Sequence, residues 1–159
     1  MKLLVFSDTH GNAAPMLDAA GRETDANACF FLGDGVRDAQ LLAEKHPALP
    51  LYVVRGNCDL AAPDPTEGLV PFGDLLLFYA HGHTLSVKMD LERLFWMATR
   101  RGADIALFGH THTPHYECRD GLHLFNPGSI GQPRGGPPTY GIVTIREDVP
   151  EFRIVEYKP

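Results

Sequence analysis

Residues 2–11, KLLVFSDTHG, join a short apolar run to a group of polar residues and a glycine. Residues 2–7 have the length and apolar character of a buried β-strand, and this strand runs directly into Asp8, Thr9 and His10. A carboxylate and an imidazole are common ligands of transition-metal ions. The segment therefore predicts an α/β fold with its chemistry at the carboxyl ends of the strands.

Four further apolar runs end in the same kinds of residue. The runs are 28–32, 50–55, 75–80 and 104–108, and they lead into Gly33-Asp34, Gly56-Asn57, His81-Gly82-His83 and Gly109-His110-Thr111-His112. Because ligands gather beyond the carboxyl ends of strands in open α/β sheets, we expect these side chains to converge. Side chains two apart in an extended backbone point the same way, so Asp8 and His10, His81 and His83, and His110 and His112 are expected to act as pairs.

The order of elements predicts the layers of the fold. Strands alternate with helical stretches first: a helix capped by Asn12 with Pro15 in its first turn, then 37–46 and 88–101, with 61–68 as a loop. The last third contains only short β-like runs, at 113–118, 122–126, 139–146 and 151–157. We expect one domain spanning 1–159, with two packed sheets and helices outside them.

The composition is that of an ordinary globular protein, with 159 residues, 44% hydrophobic and 21% charged. No apolar run is long enough to span a membrane, and the first one stops after Phe6 without a cleavage site, so we expect a cytoplasmic protein without a membrane partner. Three cysteines without a C-x-x-C spacing argue against a disulfide framework or a zinc ribbon. Cys29 and Cys118 are expected to be small buried hydrophobes.

The net charge of -6 excludes the usual profile of a protein that grips long nucleic acid. A small phosphorylated substrate is still compatible with this charge if a local positive group, such as a metal ion, overrides the acidic surface. A homodimer is the oligomer that base rates favour.

The ligand types at the strand ends are carboxylate, imidazole and one carboxamide, without a thiolate. This mixture suits Mn, Fe, Zn, Ni or Co better than Ca or Mg, and Mn is our first expectation. The groups are more numerous than one ion needs, so we expect two divalent ions that share a carboxylate. Two ions about 3.5–4 Å apart can activate a bridging hydroxide for in-line displacement at phosphorus.

The same motifs occur in order in a known family. They are D-x-H from Asp8, G-D from Gly33, G-N-C-D from Gly56, H-G-H from His81, G-H-T-H from Gly109 and N-P-G-S from Asn126. With them the chain resembles the calcineurin-like metallophosphoesterase superfamily, in particular its small single-domain bacterial and archaeal phosphodiesterases, over residues 2 to about 145. The resemblance implies a four-layer α-β-β-α sandwich, in which two mixed β-sheets are flanked by helices.

The resemblance also implies roles for single residues. One ion would be held by Asp8, His10, Asp34 and His112, and the other by Asp34, Asn57, His81 and His110, with Asp34 bridging them. A hydroxide between the ions would attack phosphorus in line, which makes Asp34, Asn57, His81 and His110 the implied catalytic residues. Asn57, His83 and Arg134 are candidates for contact with the substrate. For His83 a role in orienting His81 is the alternative, and for Arg134 it is a surface position.

One departure bears on the substrate. Many phosphatases of the superfamily carry a proton-donating His where this chain has Cys58, whereas the small phosphodiesterases have Cys there, so we expect a phosphodiesterase without assigning Cys58 as the acid. The first alternative is a phosphomonoesterase acting on nucleotides or phosphoproteins. The second is a non-catalytic scaffold, because the retromer scaffold subunit resembles this branch in fold. That alternative predicts eroded metal residues, and here all the ligand positions carry competent residue types.

Overall fold

A computed structural model describes residues 1–159, with ten strands and three α-helices. The helices are α1 (Ala14–Arg22), α2 (Val36–Lys45) and α3 (Glu92–Arg100), and a 3-10 turn, His83–Leu85, precedes α3. The strands are β1 (Lys2–Phe6), β2 (Ala28–Phe31), β3 (Leu51–Val53), β4 (Glu67–Phe72), β5 (Leu75–Ala80), β6 (Ile105–Phe108), β7 (Pro114–Arg119), β8 (Leu122–Pro127), β9 (Thr139–Arg146) and β10 (Val149–Glu156).

The strands form two mixed five-stranded sheets. The first has the order β10-β9-β1-β2-β3. In it β1, β2 and β3 are parallel to one another, and β9 runs antiparallel to both of its neighbours, β1 and β10. The second has the order β4-β5-β6-β8-β7, with β5, β6 and β8 parallel and antiparallel strands at both edges. In each sheet three parallel strands therefore place their carboxyl ends at one edge, where ligands collect in folds of this kind.

Three apolar interfaces separate four layers. Between the sheets lie buried side chains such as Leu3, Phe30 and Leu107. The outer face of the first sheet packs against α1 and α2, and the outer face of the second sheet packs against α3. The central strands are thus covered on both faces, which is why they read as continuous apolar runs in the sequence. The α-β-β-α sandwich with two mixed sheets is confirmed.

Some local predictions were wrong. Ala13, not Asn12, is the N-cap residue of α1, without a side-chain cap, because the Asn12 N–H donates to the Thr9 carbonyl in a tight turn. The third helix begins at Glu92 instead of residue 88, since residues 86–89 form a turn in which the Met89 N–H donates to the Ser86 carbonyl at 2.8 Å. The loop expected over 61–68 ends early, because β4 begins at Glu67.

The cysteines differ in their surroundings. Cys29 is buried in β2, as expected, but Cys118 is exposed because it lies on β7, an edge strand of the second sheet. The expectation of a buried Cys118 was therefore wrong. None of the helices has the length and apolarity needed to cross a membrane.

Candidate metal centre

Hydrogen bonds between backbone groups tie the loops at the strand ends to one another. The Asp8 N–H donates to the Gly33 carbonyl at 3.0 Å, and the His10 N–H donates to the Asp34 carbonyl at 2.9 Å. In the second sheet the Gly109 N–H donates to the His81 carbonyl at 3.0 Å. These bonds hold the loops after β1, β2, β5 and β6 in fixed positions against each other.

A first cluster forms from the loops after β1, β2 and β6. One ligand atom from each of its members lies within 4.8 Å of the others, and the members are Asp8, His10, Asp34 and His112. The His112 Nε2 lies 3.2 Å from the Asp8 Oδ1 and 3.2 Å from the His10 Nε2. The structure thus brings together the four residues that we expected around one ion.

A second cluster shares Asp34 with the first. The ligand atoms of Asp34, His81 and His110 also lie within 4.8 Å of one another. The His81 Nε2 is 3.4 Å from the Asp34 Oδ2 and 3.1 Å from the His110 Nδ1. The Asn57 Oδ1 lies 3.3 Å from the same His81 nitrogen, so this carboxamide completes a second group of four.

The backbone at these residues is not extended. Asp8, His10, Asp34, His110 and His112 all have positive φ, between 49° and 69°. This left-handed region is uncommon for residues other than glycine, although Asp and His enter it more readily than most. The argument from extended pairs was therefore wrong, and His110 and His112, two positions apart, contribute to different clusters.

Backbone carbonyls fix the orientation of two imidazole rings. The His81 Nδ1 lies 2.6 Å from the Leu32 carbonyl oxygen, and the His112 Nδ1 lies 2.6 Å from the Gln132 carbonyl oxygen. Because a carbonyl can only accept, each Nδ1 carries the hydrogen and each Nε2 keeps a free lone pair. Such bonds are typical of histidines that ligate metals.

Asp59 joins the loop of Asp34 to the loop of Asn57. Its carboxylate accepts hydrogen bonds from the N–H groups of Asp34, Gly35, Val36 and Gly56 at 2.7–3.0 Å. It therefore caps α2 from a distant position in the sequence and ties the start of this helix to the loop of Asn57. The Asp34 Oδ1 accepts from the Cys58 N–H at 2.8 Å, which leaves Oδ2 facing the clusters.

The electrostatics favour ionised carboxylates. Burial opposes ionisation of Asp8, but the nearby imidazoles of His10 and His112 outweigh it and lower the pKa of this carboxyl group. Burial likewise opposes ionisation of Asp34, but the nearby His81 imidazole and the hydrogen bond from the Cys58 N–H outweigh it and lower the pKa to about 2. Burial and the neighbouring His81 lower the pKa of His110 to about 4, so this imidazole is neutral at pH 7.

The donor set fits divalent transition-metal ions. The Asp8 Oδ1 is buried without a hydrogen-bond donor, although a buried carboxylate oxygen normally has a partner. Two buried carboxylates facing imidazole nitrogens with free lone pairs are ligands for Mn, Fe, Co, Ni or Zn. The expected ligands are therefore present, two of their imidazole rings are oriented by carbonyl groups, and one carboxylate oxygen lacks a hydrogen-bond donor.

The end of β8 and the turn that follows it brace the first cluster, and their contacts were not predicted from the sequence. The Asn126 Nδ2 donates to the Gly109 carbonyl and to the Thr111 Oγ1, both at 3.0 Å. The Ser129 Oγ donates to the Asp8 carbonyl and accepts from the Gln132 N–H, both at 2.7 Å. The available signal was the turn sequence Asn-Pro-Gly at the end of a strand.

Two of the three candidate substrate contacts, His83 and Arg134, lie outside both clusters. The His83 ring centre is 5.3 Å from that of His81, and the Nδ1 of His83 is buried without a partner. Since the Leu32 carbonyl binds the His81 Nδ1, the alternative that His83 orients His81 is not supported. Arg134 is exposed, and its backbone N–H donates to the His112 carbonyl at 3.3 Å. Substrate contact by His83 and Arg134 stays a prediction.

Comparison with known proteins places the chain in a family. Residues 1–148 match the model of the calcineurin-like phosphoesterase superfamily domain. The chain belongs to this superfamily, and the resemblance drawn from the motifs is confirmed.

The relatives include proteins named for hydrolysis and one named for sorting. The probable metallophosphoesterase YsnB of Bacillus subtilis is 34% identical, over 98% of this chain and 91% of its own length. The phosphodiesterase YfcE of Escherichia coli K12 is 31% identical, over 90% of this chain and 87% of its own length. The vacuolar protein sorting-associated protein 29 of Schizosaccharomyces pombe is 32% identical, over 98% of this chain and 84% of its own length.

A solved structure shows the same sandwich. A crystal structure from Streptococcus pneumoniae, described as a predicted phosphoesterase, superimposes with a TM-score of 0.85 at 28% identity. The match covers 98% of this chain and 88% of that protein.

Proposed function

We propose that this protein is a phosphodiesterase that uses two divalent metal ions. The observation that carries the proposal is the pair of ligand clusters with Asp34 in common. Each cluster offers four ligands when Asn57 is included, which is the number that a separate ion needs. Manganese is the first ion to test, with Fe, Zn, Ni and Co as alternatives.

The bound ions would supply Lewis acidity and lower the pKa of water at the site. The chain itself orients the ligands through Asp59 and the Leu32 and Gln132 carbonyls. Asn57 is exposed, and its Nδ2 contacts only the Cys58 Sγ at 3.4 Å, a weak acceptor, so this N–H group is free to donate to a phosphate oxygen. His83 and Arg134 remain the further candidates for contact with that phosphate.

Cys58 favours a diester over a monoester, because the small phosphodiesterases that this chain resembles carry a cysteine at this position. Burial and the nearby Asp34 raise the pKa of this thiol, so it stays neutral at pH 7. A thiol is a weak hydrogen-bond donor and does not replace an imidazolium as a proton source. The similarity to a named phosphodiesterase supports the same choice.

The test compares two aryl esters with the same leaving group. Purified protein with Mn²⁺ is expected to hydrolyse bis(4-nitrophenyl) phosphate with a higher kcat/KM than 4-nitrophenyl phosphate. The release of nitrophenolate measures both reactions, and a chelator should abolish them. Faster turnover of the monoester would establish the phosphomonoesterase alternative instead.

The second candidate function is a non-catalytic scaffold, which the similarity to the sorting protein of S. pombe favours. Against it, no expected ligand position in this chain has lost a ligand residue type. Elemental analysis of the protein as purified separates the two. A protein without metal and without hydrolysis in Mn²⁺, Co²⁺ or Ni²⁺ would support the scaffold.

Replacing Cys58 is expected to change the hydrolysis of an activated aryl diester little. Nitrophenolate leaves without a proton, so Cys58→Ala and Cys58→Ser should alter kcat by less than about threefold, against the 10²–10⁴ typical of a general acid. The exposed Cys118→Ala is the matched control. A loss of several orders of magnitude at Cys58 alone would show that the thiol acts in the reaction.

A small phosphorylated molecule as the substrate, a homodimer and a cytoplasmic location remain predictions from the sequence. Hydrolysis assays on a set of small phosphate esters test the first of these predictions, and a sedimentation measurement tests the second.

A further inference from the structure

A cavity of about 640 Å³ opens directly beside the first cluster. We name it the α2 cleft, and its lining includes His10, Asp34 and Cys58 at the metal side, and Arg37, Gln40 and Leu60 away from it. Pockets for small ligands have volumes of roughly 300–1,000 Å³, so the cleft has room for a group of nucleoside size.

The two walls of the cleft differ in chemistry. On one wall α2 presents Arg37 and Gln40, which are both exposed, and Arg37 takes part in no ion pair. The other wall is the apolar segment Leu60-Ala61-Ala62-Pro63. Leu60 is 87% exposed, so its apolar side chain is open to contact with a ligand. The cleft thus offers an apolar surface opposite a free guanidinium and a carboxamide.

The acidic groups of the cleft are already bound to the backbone. The Asp38 Oδ2 accepts from the Gly11 N–H at 3.0 Å, and both oxygens of Asp59 accept backbone N–H groups. They remain negative, however, and they would repel a second phosphate in the cleft. A neutral group with hydrogen-bond acceptors is therefore the better partner for Arg37 and Gln40.

We propose that the α2 cleft binds the second ester group of a phosphodiester, and that this group is a heteroaromatic ring system of nucleoside size. The inference rests on the proposed function, because only a diester keeps an organic group beside the phosphate after the leaving group departs. The phosphate would lie on the clusters, and His10 and Asp34 border both the clusters and the cleft. The ring would lie on Leu60, and Arg37 would donate to its acceptor atoms, as guanidinium groups do with base edges.

The experiment uses two diesters that share a leaving group. They are thymidine 5′-(4-nitrophenyl phosphate) and methyl 4-nitrophenyl phosphate, and the measured quantity is the ratio of their kcat/KM values with Mn²⁺. The wild-type ratio is expected to favour the thymidine ester. In Arg37→Ala and in Leu60→Ala the ratio should fall about fivefold, the typical weight of one partly exposed contact. Arg100→Ala and Val149→Ala, exposed residues on α3 and β10, are the matched controls and should keep the wild-type ratio.

The outcomes separate this inference from the proposed function. One outcome is that both esters are hydrolysed with the same ratio of kcat/KM values in the wild type, Arg37→Ala and Leu60→Ala. In that case the cleft does not bind the ester group, although the proposed phosphodiesterase activity is supported. If no diester is hydrolysed with any metal, the proposed function fails. The cleft is then judged by calorimetry with thymidine 5′-phosphate and methyl phosphate. Tighter binding of thymidine 5′-phosphate than of methyl phosphate by the wild type, lost in both variants, would support the proposed role of the α2 cleft. Equal binding of the two compounds by the wild type would overturn that role.

Discussion

Replacing Asp34 with Asn is expected to slow diester hydrolysis on the order of 10³-fold, because the Lewis acidity of two ions is worth several kcal/mol and each 1.36 kcal/mol is a factor of ten. The Asp34 carboxylate is the only group that belongs to both clusters. A carboxamide carries no charge, and its one oxygen cannot both accept from the Cys58 N–H and face the two ions. Elemental analysis should show at least one ion lost, and nitrophenolate release should show the fall in kcat.

The matched control is Asp104→Asn, at a carboxylate outside both clusters. The Asp104 Oδ2 accepts from the Leu76 N–H at 2.8 Å, and an Asn oxygen can replace it there. This variant should keep the metal content and the kcat of the wild type. If Asp34→Asn instead kept most of its activity and both ions, the bridging role of Asp34 would be wrong.

Replacing Gly56 with Ala is expected to damage both stability and catalysis. An added Cβ would lie 2.0 Å from the Asp34 Oδ1 and 2.6 Å from the Asp34 backbone nitrogen. Because a backbone atom cannot rotate away, the loops of Asp34 and Asn57 must separate. Overpacking of this kind lowers the free energy of unfolding by about 1–3 kcal/mol. A displacement near 1 Å at a catalytic group lowers kcat by about a hundredfold.

Gly21→Ala provides the control for this substitution. Gly21 lies in α1, and an added Cβ there would meet no atom within 4 Å. Alanine in a helix is more favourable than glycine by up to about 1 kcal/mol, so this variant should be slightly more stable with unchanged turnover. Urea denaturation and nitrophenolate release measure the two properties. A fully stable and active Gly56→Ala protein would contradict the close packing of the two loops.

The sheets were predictable because the central strands are buried on both faces. Their side chains are apolar at every position, as in residues 28–32. Such continuous apolar runs can be recognised in the sequence alone, without knowledge of what packs against them. The N-cap of α1 could not be predicted in this way. It depends on whether the Asn12 N–H bonds to the Thr9 carbonyl, which is decided by the turn that carries Asp8 and His10.

The metal-ligand residue types were visible in the sequence, but their supports were only partly so. Asp, His and Asn at strand ends form a recognisable pattern. The groups that orient His81 and His112 are the backbone carbonyls of Leu32 and Gln132, and a backbone carbonyl leaves no signal in the sequence because any residue type can supply it. Asp59 could be suspected from its position after Asn57, but its bonds to the start of α2 depend on tertiary structure. The α2 cleft likewise depends on how the segment after Cys58 lies against α2.

The left-handed backbone of the candidate ligands has a consequence for the evolution of such proteins. A left-handed residue other than glycine costs roughly 1–2 kcal/mol, and five of these positions are left-handed here. Selection for hydrolysis, and not for folding, is what would retain Asp and His at them. A lineage that no longer needs catalysis can therefore exchange these residues for glycine or asparagine and gain stability while the sandwich persists. The strained backbone at the candidate ligands therefore means that loss of catalysis can be accompanied by a gain in folding stability, which favours the change from an enzyme to a binding protein.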